Sequence, residues 1–513
     1  MQASDINEQK ARNMNSKLYS VAQIRAVEEA AMRELETGTL MRRAGRAAAD
    51  LALTLVGDAK AQPVLVLAGP GNNGGDALEV AANLSEAGLD VVVLYFAPTS
   101  GQPSPETAQA LARARASRAN FADVAPDTRD WALVVDGLFG IGLARNLVGR
   151  YPELVTALDD MRCPVLALDV PSGLDADTGM PVGEGGVAVF ATHTITFIGD
   201  KPGLHTAFGR DHAGEVHVVD LGIDAKLFPP PLAQLAAPAL FVDRLAPRRQ
   251  GSHKGNFGDV AIVGGARGML GAAVLAGRGA LYAGAGRVFV ATVDPGPGFD
   301  NLQPELMFRA SNALKFEDQA LVLGPGMGDS VEAMRALSHG IDGNGPLVID
   351  ADGLNLVAAS TELQARLARR QGPAILTPHP LEAARLLGIT AAEVQADRLD
   401  AARQLARRFN AVAVLKGSGT VIAAQEGCMA LNPTGNPGLA SGGTGDVLAG
   451  VCAGLLAQGW PAWEAAVGAV WMHGAAADRL VEDGVGPIGM TAGELPAAVR
   501  KVLNGLVSEA AAR

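Results

Sequence analysis

Short runs of consecutive apolar, often β-branched residues recur along the chain, and most of them end in glycine or aspartate. An uninterrupted apolar run is typical of a strand that is buried on both faces, as in a parallel sheet covered by helices. A helical start covers residues 20–56, and residues 420–431 predict a hairpin that turns at Glu426-Gly427. The pattern therefore predicts an α/β protein. The strands are expected at 63–69, 90–96, 133–140, 165–173, 193–199, 214–222, 259–265, 287–293, 320–326, 346–352, 374–380 and 411–417.

The chain length and one proline-rich segment predict two domains. The 513 residues exceed one ordinary domain. Residues 229–250 contain five prolines and are predicted to be a linker. Residues 1–17 are polar and lack the apolar core of a signal peptide, so a disordered tail is expected there. The two α/β domains should then cover residues 18–228 and 251–513.

Composition excludes several classes of partner. The net charge is −12 and no block of lysine and arginine occurs, so neither nucleic acid nor an anionic membrane is expected to bind. The longest apolar run, residues 447–457, is shorter than the ~18 residues that span a bilayer. Cys163, Cys428 and Cys452 show no paired spacing, which argues against a disulfide framework and against a zinc site. We expect a soluble, cytoplasmic protein.

A glycine turn before an apolar helix is the strongest functional signal in the second half. Gly442, Gly443, Thr444 and Gly445 precede Asp446 and the helical run that follows. Such a turn directs free N–H groups and the positive end of the helix dipole at one point, where phosphate oxygens bind. An aspartate there would repel the anion, so we interpret Asp446 as a base that takes a proton from a hydroxyl beside the phosphate. The alternative is an ordinary helix start in which Asp446 is only the N-cap.

Two further segments of the second half carry candidate ligand contacts. Residues 416–420, KGSGT, end a predicted strand, where backbone N–H groups and Lys416 would meet a nucleotide. This segment lacks the GxxxxGK spacing of a Walker A loop. His379 lies between two prolines in TPHP. It is either a structural histidine or a ligand contact, and the residues alone leave both interpretations open.

The first half opens with a glycine loop that resembles a dinucleotide-binding fingerprint. Gly69, Gly71 and Gly74 have the GxGxxG spacing directly after a predicted strand. A dehydrogenase also requires an acidic residue near the end of the next strand, for the ribose hydroxyls. That strand ends in Phe96-Ala97-Pro98, so an ordinary nicotinamide-redox function is excluded.

Oxygen-bearing side chains follow three predicted strands of the first half. The carboxyl ends of parallel strands meet at one edge of the sheet, where α/β proteins bind ligands. Carboxylate, amide and hydroxyl oxygens without nitrogen or sulfur suit a hard cation. The alternative for each aspartate is an Asx-turn or a helix cap. The side chains are Asn72, Asn73, Asp76, Asp136, Asp169 and Ser172.

In these motifs the chain resembles the bifunctional NAD(P)H-hydrate repair enzymes. GPGNNGGD, DGLFGIGLAR, LDVPSGLDADTG and KPGL resemble the epimerase domain of that family. HKGNFGDV, GGARGMLGAA, GPGMG, TPHP, KGSGT and NPTGNPG with GGTGD resemble its ADP-dependent dehydratase domain. The resemblance covers about residues 18–505. Two departures are Ala77, where the family usually has glycine, and Arg42, where it usually has glutamate. Ala77 is expected to narrow the epimerase pocket.

The resemblance implies a fold and a reaction. The fold would be an N-terminal Rossmann-like three-layer domain followed by a ribokinase-like α/β domain. The first domain would interconvert the R and S epimers of NADH and NADPH that have added water to the nicotinamide ring. The second would dehydrate the S epimer while ADP is converted to AMP and phosphate. ADP is thus a co-substrate, with Mg2+ and K+ as the implied ions.

The resemblance also implies roles for individual residues. Asp446 and Asp169 would be catalytic, and Lys201 is a weaker candidate because a lysine before Pro-Gly is also typical of an exposed turn. Asn73, Asp136 and Ser172 would ligate K+. The nucleotide would contact Lys416, Gly417, Ser418, Gly419, Thr420 and Gly445. The hydrate would contact Asn72, Asn73, Gly74, Gly75, Asp76, Gly140, Ile141, Gly142, Leu143, Ala144, Arg145, Asn146 and Asp169 in the first domain, and Ala272, Gly326, His379 and Asp446 in the second.

Two other functions compete with repair. A sugar or vitamin kinase would have the same fold and the same use of the GTGD turn as the second half. A kinase function would not account for the first half. A non-enzymatic interpretation makes the first domain a binding module, against which the presence of Asn73 and Asp169 argues. A homo-oligomer of a small-molecule enzyme is the expected state.

Overall fold

The computed structural model describes residues 16–98, 101–125, 130–296, 298–313 and 319–512. The chain divides into two compact units, Met1–Gln234 and Leu235–Arg513. The division lies within the segment predicted as a linker. Residues 1–15 of the predicted tail lie outside the described residues, whereas Lys17 belongs to a two-residue strand that pairs with Gln234 and Ala233.

The first unit is built on a parallel sheet of seven strands in the order β4-β3-β2-β5-β6-β7-β8. The strands of the first unit are β1 Lys17–Leu18, β2 Val64–Ala68, β3 Val91–Tyr95, β4 Asn120–Phe121, β5 Leu133–Gly137, β6 Val165–Leu168, β7 His193–Phe197 and β8 Glu215–Val219. Strand β9 Ala233–Leu235 follows at the boundary between the units, and β1 and β9 are not part of the seven-stranded sheet. The helices of the first unit are α1 Val21–Met32, α2 Thr39–Val56, α3 Asn72–Glu86, α4 Pro105–Ala116, α5 Tyr151–Ala157 and α6 Gly209–His212.

Both faces of the central strands β2, β5 and β6 are buried, as the uninterrupted apolar runs predict. Along β2, Val64 and Val66 enter the core beneath α2 and α3, whereas Leu65 and Leu67 enter a second core with Val155 of α5. Successive side chains of a strand point to opposite faces. Two helical layers therefore enclose the central strands, and the polar groups of β2, β5 and β6 lie at their carboxyl ends.

The second unit has a sheet in the order β18-β17-β16-β15-β14-β13-β10-β11-β12, in which the β16–β17 and β17–β18 pairs are antiparallel and the others parallel. Its strands are β10 Asp259–Gly264, β11 Arg287–Thr292, β12 Met307–Ala310, β13 Ala320–Leu323, β14 Leu347–Ile349, β15 Ala374–Leu376, β16 Val412–Leu415, β17 Val421–Ala423 and β18 Met429–Leu431. Its helices are α7 Leu270–Tyr282, α8 Val331–Asp342, α9 Ala351–Ala359, α10 Thr361–Ala368, α11 Pro380–Leu387, α12 Ala391–Ala396, α13 Arg398–Phe409, α14 Thr444–Ala457, α15 Ala462–Glu482 and α16 Leu495–Ala511.

Helix α14, which follows the glycine turn, lies in the core of the second unit. Its residues from Val447 to Leu456 are buried, so the helix is apolar on every side. A Cβ atom on Gly450 would lie 1.9 Å from the Ala276 carbonyl oxygen of α7, and one on Gly279 would lie 2.4 Å from the Val447 carbonyl oxygen. The two helices approach closely because both carry glycine at the crossing. The start of α14 is thereby held in a fixed place.

The predicted strands and the hairpin are confirmed, with ends that differ by a few residues. Three short strands, β1, β4 and β9, and the strand β12 were not predicted. The segment 229–250 is not an open spacer, because it forms short 3-10 turns at Pro238–Leu240 and Val242–Arg244. Phe241 between them is buried in the core of the second unit. None of the described helices has the length and apolar character needed to cross a membrane.

Candidate active sites

An ion pair between Asp169 and Lys201 lies at the carboxyl edge of the first sheet. Lys201 follows β7, and its side chain is 0% exposed. Its ammonium donates to Asp169 Oδ1 at 2.7 Å, to Thr196 Oγ1 at 2.6 Å and to the Phe197 carbonyl at 2.9 Å. Three acceptors use all three of its protons. The interpretation of Lys201 as an exposed turn residue is wrong, because the Pro202–Leu204 turn that follows it is itself buried.

The second oxygen of Asp169 holds the loop that begins at Gly140. Asp169 has a φ of 66°, an unusual conformation for a residue other than glycine. Its Oδ2 accepts a hydrogen bond of 3.1 Å from the Ile141 N–H. A Cβ atom on Gly140 would lie 2.9 Å from Asp169 Oδ2 and 3.3 Å from Asn73 Cγ. Glycine at position 140 thus lets the carboxylate, the loop and the Asn73 amide lie together.

A cavity of about 840 Å³ opens in front of this carboxylate. Its lining includes most of the residues predicted to bind the hydrate, namely Asn72, Asn73, Asp76, Gly140, Ile141, Gly142, Leu143, Ala144, Arg145 and Asp169. Gly74, Gly75 and Asn146 are not among the described residues that line it. A Cβ atom on Gly74 would lie 1.9 Å from the Gly69 carbonyl oxygen, and the Asn146 amide donates to the Glu184 carbonyl at 3.0 Å. These residues shape the loops around the cavity.

The Ala77 departure does not narrow this cavity. Ala77 is fully buried and is not among the lining residues that the structure describes. Its methyl group lies against Gly137, where an added Cβ atom would approach it to 2.4 Å. The expectation of a narrowed pocket is wrong, because the second turn of α3 directs this side chain toward β5. Arg42 is exposed and donates to Thr39 Oγ1 at 3.1 Å.

Two further carboxyl groups lie close to Asp169. Burial and the nearby charge of Asp169 raise the pKa of Glu28. Burial, Asp169 and Glu28 raise the pKa of Asp76 well above its ordinary value. Glu28 lies on α1 and lines the cavity, but no motif of the sequence marks it. The site therefore contains two carboxyl groups whose proton affinity is raised, beside one buried ammonium.

The residues predicted to ligate K+ lie at the same edge. Ser172 Oγ donates to Asp136 Oδ1 at 2.6 Å, and the Ser172 N–H donates to Asp136 Oδ2 at 2.8 Å. The Asn73 amide is buried, and both its Oδ1 and Nδ2 lack a hydrogen-bond partner. An orphaned buried amide oxygen requires an explanation in a native structure. An oxygen-coordinated cation would supply one, so the donor set fits K+.

In the second unit, Lys416 lies between Asp350 and the glycine turn. Its ammonium donates to Asp350 Oδ1 at 2.7 Å. Asp350 is buried and is the N-cap residue of α9. A Cβ atom on Gly445 would lie 3.2 Å from Lys416 Nζ. The structure therefore brings the end of β16, the end of β14 and the start of α14 to one point.

Asp446 has the properties of a base rather than of a cap. Gly443 is the N-cap residue of α14, so Asp446 is the third residue of the helix and the N-cap interpretation is wrong. Burial, followed by the negative charge of Asp350, raises the pKa of Asp446 to about 7, against the opposing effect of Lys416. A helix N-terminus by itself would favour the charged carboxylate. The raised pKa therefore comes from the surrounding acidic groups and from desolvation.

The backbone of the KGSGT loop is held by Arg398, which the sequence analysis missed. Arg398 is 1% exposed, and its guanidinium donates to the Leu415 carbonyl at 3.2 Å and to the Lys416 carbonyl at 3.3 Å. Burial lowers its pKa to about 10, which leaves it charged at neutral pH. Gly417 has a φ of 142°, and a Cβ atom there would lie 2.9 Å from the guanidinium. Nothing in the sequence distinguishes Arg398 from the surface arginines of α13.

The structure shows the structural role of His379 and leaves its ring accessible. It caps α11, since its Nδ1 accepts from the Leu381 N–H at 3.1 Å, and its Nε2 lies 3.3 Å from Glu382 Oε1. Burial and the charge of Lys416 lower its pKa. Its side chain is 47% exposed, so a ligand can still reach it. A structural role and a ligand contact are therefore compatible.

Ala272 and Gly326, the other predicted hydrate contacts, are adjacent to each other. Gly326 has a φ of 56°, and a Cβ atom there would lie 3.3 Å from the Ala272 Cβ. Leu275, one turn further along α7, lies against Gly443 of the glycine turn. Residues three apart share a helix face. This face of α7 thus connects Ala272 with the start of α14.

Comparison with known proteins agrees with this geometry. Residues 260–500 match the family described as NAD(P)H-hydrate dehydratase, and residues 37–203 match the YjeF-related protein N-terminus. These matches confirm the predicted α/β class, with a Rossmann-like first unit and a ribokinase-like second unit. A solved structure that resembles this chain is the ADP/ATP-dependent NAD(P)H-hydrate dehydratase of Bacillus subtilis, co-crystallised with ATP/Mg2+. It is 32% identical, with a TM-score of 0.48 over 53% of this chain and 98% of that one.

Two curated relatives extend over nearly the whole chain. The bifunctional NAD(P)H-hydrate repair enzyme Nnr of Escherichia coli (strain K12) is 38% identical over 484 residues, which cover 92% of this chain and 90% of the relative. The enzyme of the same description from Coxiella burnetii is 38% identical over 507 residues, with 95% and 99% covered. The chain belongs to the family of bifunctional NAD(P)H-hydrate repair enzymes.

Proposed function

We propose that this chain restores hydrated NADH and NADPH, with epimerisation in the first unit and ADP-dependent dehydration of the S epimer in the second. The observation that carries the proposal is the position and the pKa of Asp446. This residue lies in the first turn of the buried helix α14, and burial and the charge of Asp350 raise its pKa to about 7. A general base works best when its pKa lies near the operating pH. The glycine turn beside it supplies the anion site that ADP requires.

In the dehydratase unit, Asp446 takes the proton of the hydrate hydroxyl. The hydroxyl oxygen then forms a bond to the β-phosphorus of ADP, and the bond from that phosphorus to the bridging oxygen breaks to release AMP. The ring carbon–oxygen bond breaks next, because phosphate leaves far more readily than hydroxide. Loss of a ring proton completes NADH or NADPH. Positioning and charge stabilisation account for most of such a transfer.

The nucleotide would lie along the loop from Lys416 to Thr420, with its phosphates at Gly445. Lys416 is oriented by Asp350, and Arg398 fixes the carbonyl groups of Leu415 and Lys416 at the start of the loop. Mg2+ prefers carboxylate oxygens and phosphates. Asp446 lies within electrostatic range of Asp350 and Asp352, so acidic groups suited to Mg2+ surround the phosphate position.

In the epimerase unit, Asp169 would accept and return the proton at the hydrated carbon. Lys201 holds the carboxylate in place, and the Gly140–Asn146 loop with Asn72–Asp76 holds the diphosphate and ribose. K+ would be held by Asn73, Asp136 and Ser172, where it adds positive charge near the ligand phosphates. The unpaired buried amide of Asn73 supports this assignment.

One assay tests the proposal against the kinase alternative. Mixed hydrate epimers are incubated with enzyme, and recovery of the reduced-nicotinamide absorbance is followed with and without ADP. We expect full recovery with ADP alone and release of AMP and phosphate in equal amounts. A kinase would require ATP and a separate acceptor, so absence of recovery with ADP contradicts the proposal. A cytoplasmic location and a homo-oligomeric state remain predictions from the sequence.

A further inference from the structure

Three potential metal ligands lie together at the amino-terminal edge of the first sheet, away from the site described above. His193 begins β7, and Glu215 and His217 lie on the neighbouring strand β8. The parallel register pairs His193 with Glu215 and Ile195 with His217. Paired residues and residues two apart share one face of a sheet. All three side chains therefore project from the same face, and we propose that they bind a transition-metal ion of the Zn2+ class.

The separations of the ligand atoms are close to those of a metal site. Glu215 Oε2 lies 3.9 Å from His193 Nε2, and Glu215 Oε1 lies 3.7 Å from His217 Nε2. All three ligand atoms lie within 4.8 Å of one another. Two atoms that are each about 2.1 Å from one zinc ion are at most about 4.2 Å apart. The Glu215 side chain is 70% exposed and can rotate. A small movement of the three side chains toward one another would bring their ligand atoms to the distances of a zinc site.

His217 presents an unpaired nitrogen to this cluster. Its Nε2 atom is buried and has no hydrogen-bond partner. A buried polar atom without a partner costs free energy unless a ligand satisfies it. The ring stacks on His193 with centroids 5.7 Å apart and an interplanar angle of 18°, which holds both imidazoles near the same point. A metal ion would satisfy the His217 nitrogen.

A threonine fixes the tautomer of the other histidine. The Thr192 hydroxyl donates its proton to the Val165 carbonyl at 3.0 Å, so it can only accept from His193 Nδ1, which lies 3.0 Å away. Nδ1 of His193 therefore carries the proton, and the lone pair is on Nε2, which faces Glu215. A metal-binding histidine usually donates its other N–H to such an oxygen. Thr192 is thus a positioning residue for the site.

The ligand chemistry separates this site from the predicted K+ and Mg2+ positions. Two imidazoles and one carboxylate suit zinc and related transition metals, whereas all-oxygen sets suit K+ and Mg2+. Along β7, His193 precedes Phe197, whose carbonyl accepts from Lys201, by four residues, or roughly 13 Å. The cysteine spacing argued against zinc, but this cluster contains no cysteine. Because β8 is an edge strand, the ion would fasten it to β7.

The test is metal binding by the full-length protein after removal of metal with a chelator. Titration with Zn2+ should give one equivalent bound per chain and a higher Tm for the first unit. His217→Ala and Glu215→Gln should lose stoichiometric binding. His339→Ala, which removes an exposed histidine of α8, is the matched control and should bind like the unchanged protein. Equal losses in the His217 and His339 variants, or no stoichiometric binding at all, would overturn the proposal.

The metal affinity of Thr192→Val distinguishes a specific metal site from nonspecific binding by surface histidines. Loss of a partner of this kind costs roughly 10–100-fold in metal affinity, whereas surface binding would not respond to Thr192. Co2+ gives a second readout, since a tetrahedral site produces a visible absorption band. We expect that band in the unchanged protein and its loss in His217→Ala. Epimerase and dehydratase rates, measured with Mg2+ and K+ but without added Zn2+ or Co2+, should be the same in the unchanged protein and in His217→Ala. An unaltered Co2+ spectrum in His217→Ala contradicts the assignment.

Discussion

Lys201 Nζ lies 2.7 Å from Asp169 Oδ1, with the lysine completely buried and the aspartate 13% exposed toward the cavity. The ammonium is saturated by three acceptors, so it cannot readily move toward a ligand. Asp169 keeps one oxygen on the lysine and directs the other at the Gly140 loop. Lys201 therefore fixes the orientation of Asp169, and Asp169 is the member of the pair that lines the cavity.

Asp169→Ala should stop use of the R epimer, because the proton acceptor at the hydrated carbon is removed. Dehydration of the S epimer should continue at its normal rate, which serves as the internal control for folding. The measurement is the ADP-dependent recovery of absorbance from each purified epimer. If the variant consumes the R epimer faster than spontaneous epimerisation allows, Asp169 is not the catalytic group.

Lys201→Met should reduce epimerisation and also destabilise the first unit. Removal of one partner from a buried ion pair costs about 3 kcal/mol or more, which corresponds to a fall in Tm of roughly 6–12 °C. Differential scanning calorimetry measures this fall. A positioning role predicts that kcat for the R epimer falls while KM changes little. An unchanged kcat in a folded variant would leave Lys201 a purely structural residue.

Asp446→Asn should lower dehydratase turnover by ~10²-fold or more, the scale for loss of a general base. The amide keeps the shape of the side chain but cannot accept the proton, so ADP binding should persist. In the unchanged enzyme the rate should rise with pH through about 7, where Asp446 loses its proton. Asp483→Asn, an exposed carboxylate after α15, is the control. Near-normal turnover of the Asp446 variant would contradict the assignment.

Asp446→Asn should also stabilise the folded protein at alkaline pH. The pKa of Asp446 is raised to about 7 from an ordinary value of 3.8, so the folded state binds a proton there that the unfolded state has released. Stability from this group is therefore present below pH 3.8 and is lost as pH rises through about 7. The Tm of Asp446→Asn should exceed that of the unchanged protein at pH 8, and the difference should shrink toward pH 4. A constant difference in Tm across this range would show that folding does not raise the pKa of Asp446.

Lys416→Ala should weaken ADP binding by about 10–100-fold, since charge-assisted hydrogen bonds contribute about 1.5–3 kcal/mol. Lys501→Ala, on the exposed side of α16, controls for the loss of one positive charge. Isothermal titration with ADP and Mg2+ measures both. Thermal protection by ADP should be present in the control and reduced in the Lys416 variant. Equal affinity in the two variants would place the nucleotide elsewhere.

The sequence by itself determined the strands, the glycine turns and the residues that follow them. Short apolar runs that end in glycine or aspartate fit strands that are buried on both faces, and the ends of such strands are where α/β proteins bind ligands. Asp446, Lys416, Asp169 and the loop at Gly140 were therefore identified without coordinates. These predictions use only local sequence, since each of these residues lies within a few positions of the strand or helix that positions it.

Only the tertiary structure decided what surrounds those residues. Glu28, Arg398 and the His193–His217 pair carry no motif, because their roles depend on groups that are distant in sequence. Lys201 begins the KPGL motif, but its burial arises from the packing of the turn after β7 and not from its neighbours in sequence. The pKa of Asp446 is raised first by burial and then by the charge of Asp350, which lies at the end of a different strand. Proton affinity and ligand geometry depend on distances through space, and the fold alone fixes those distances.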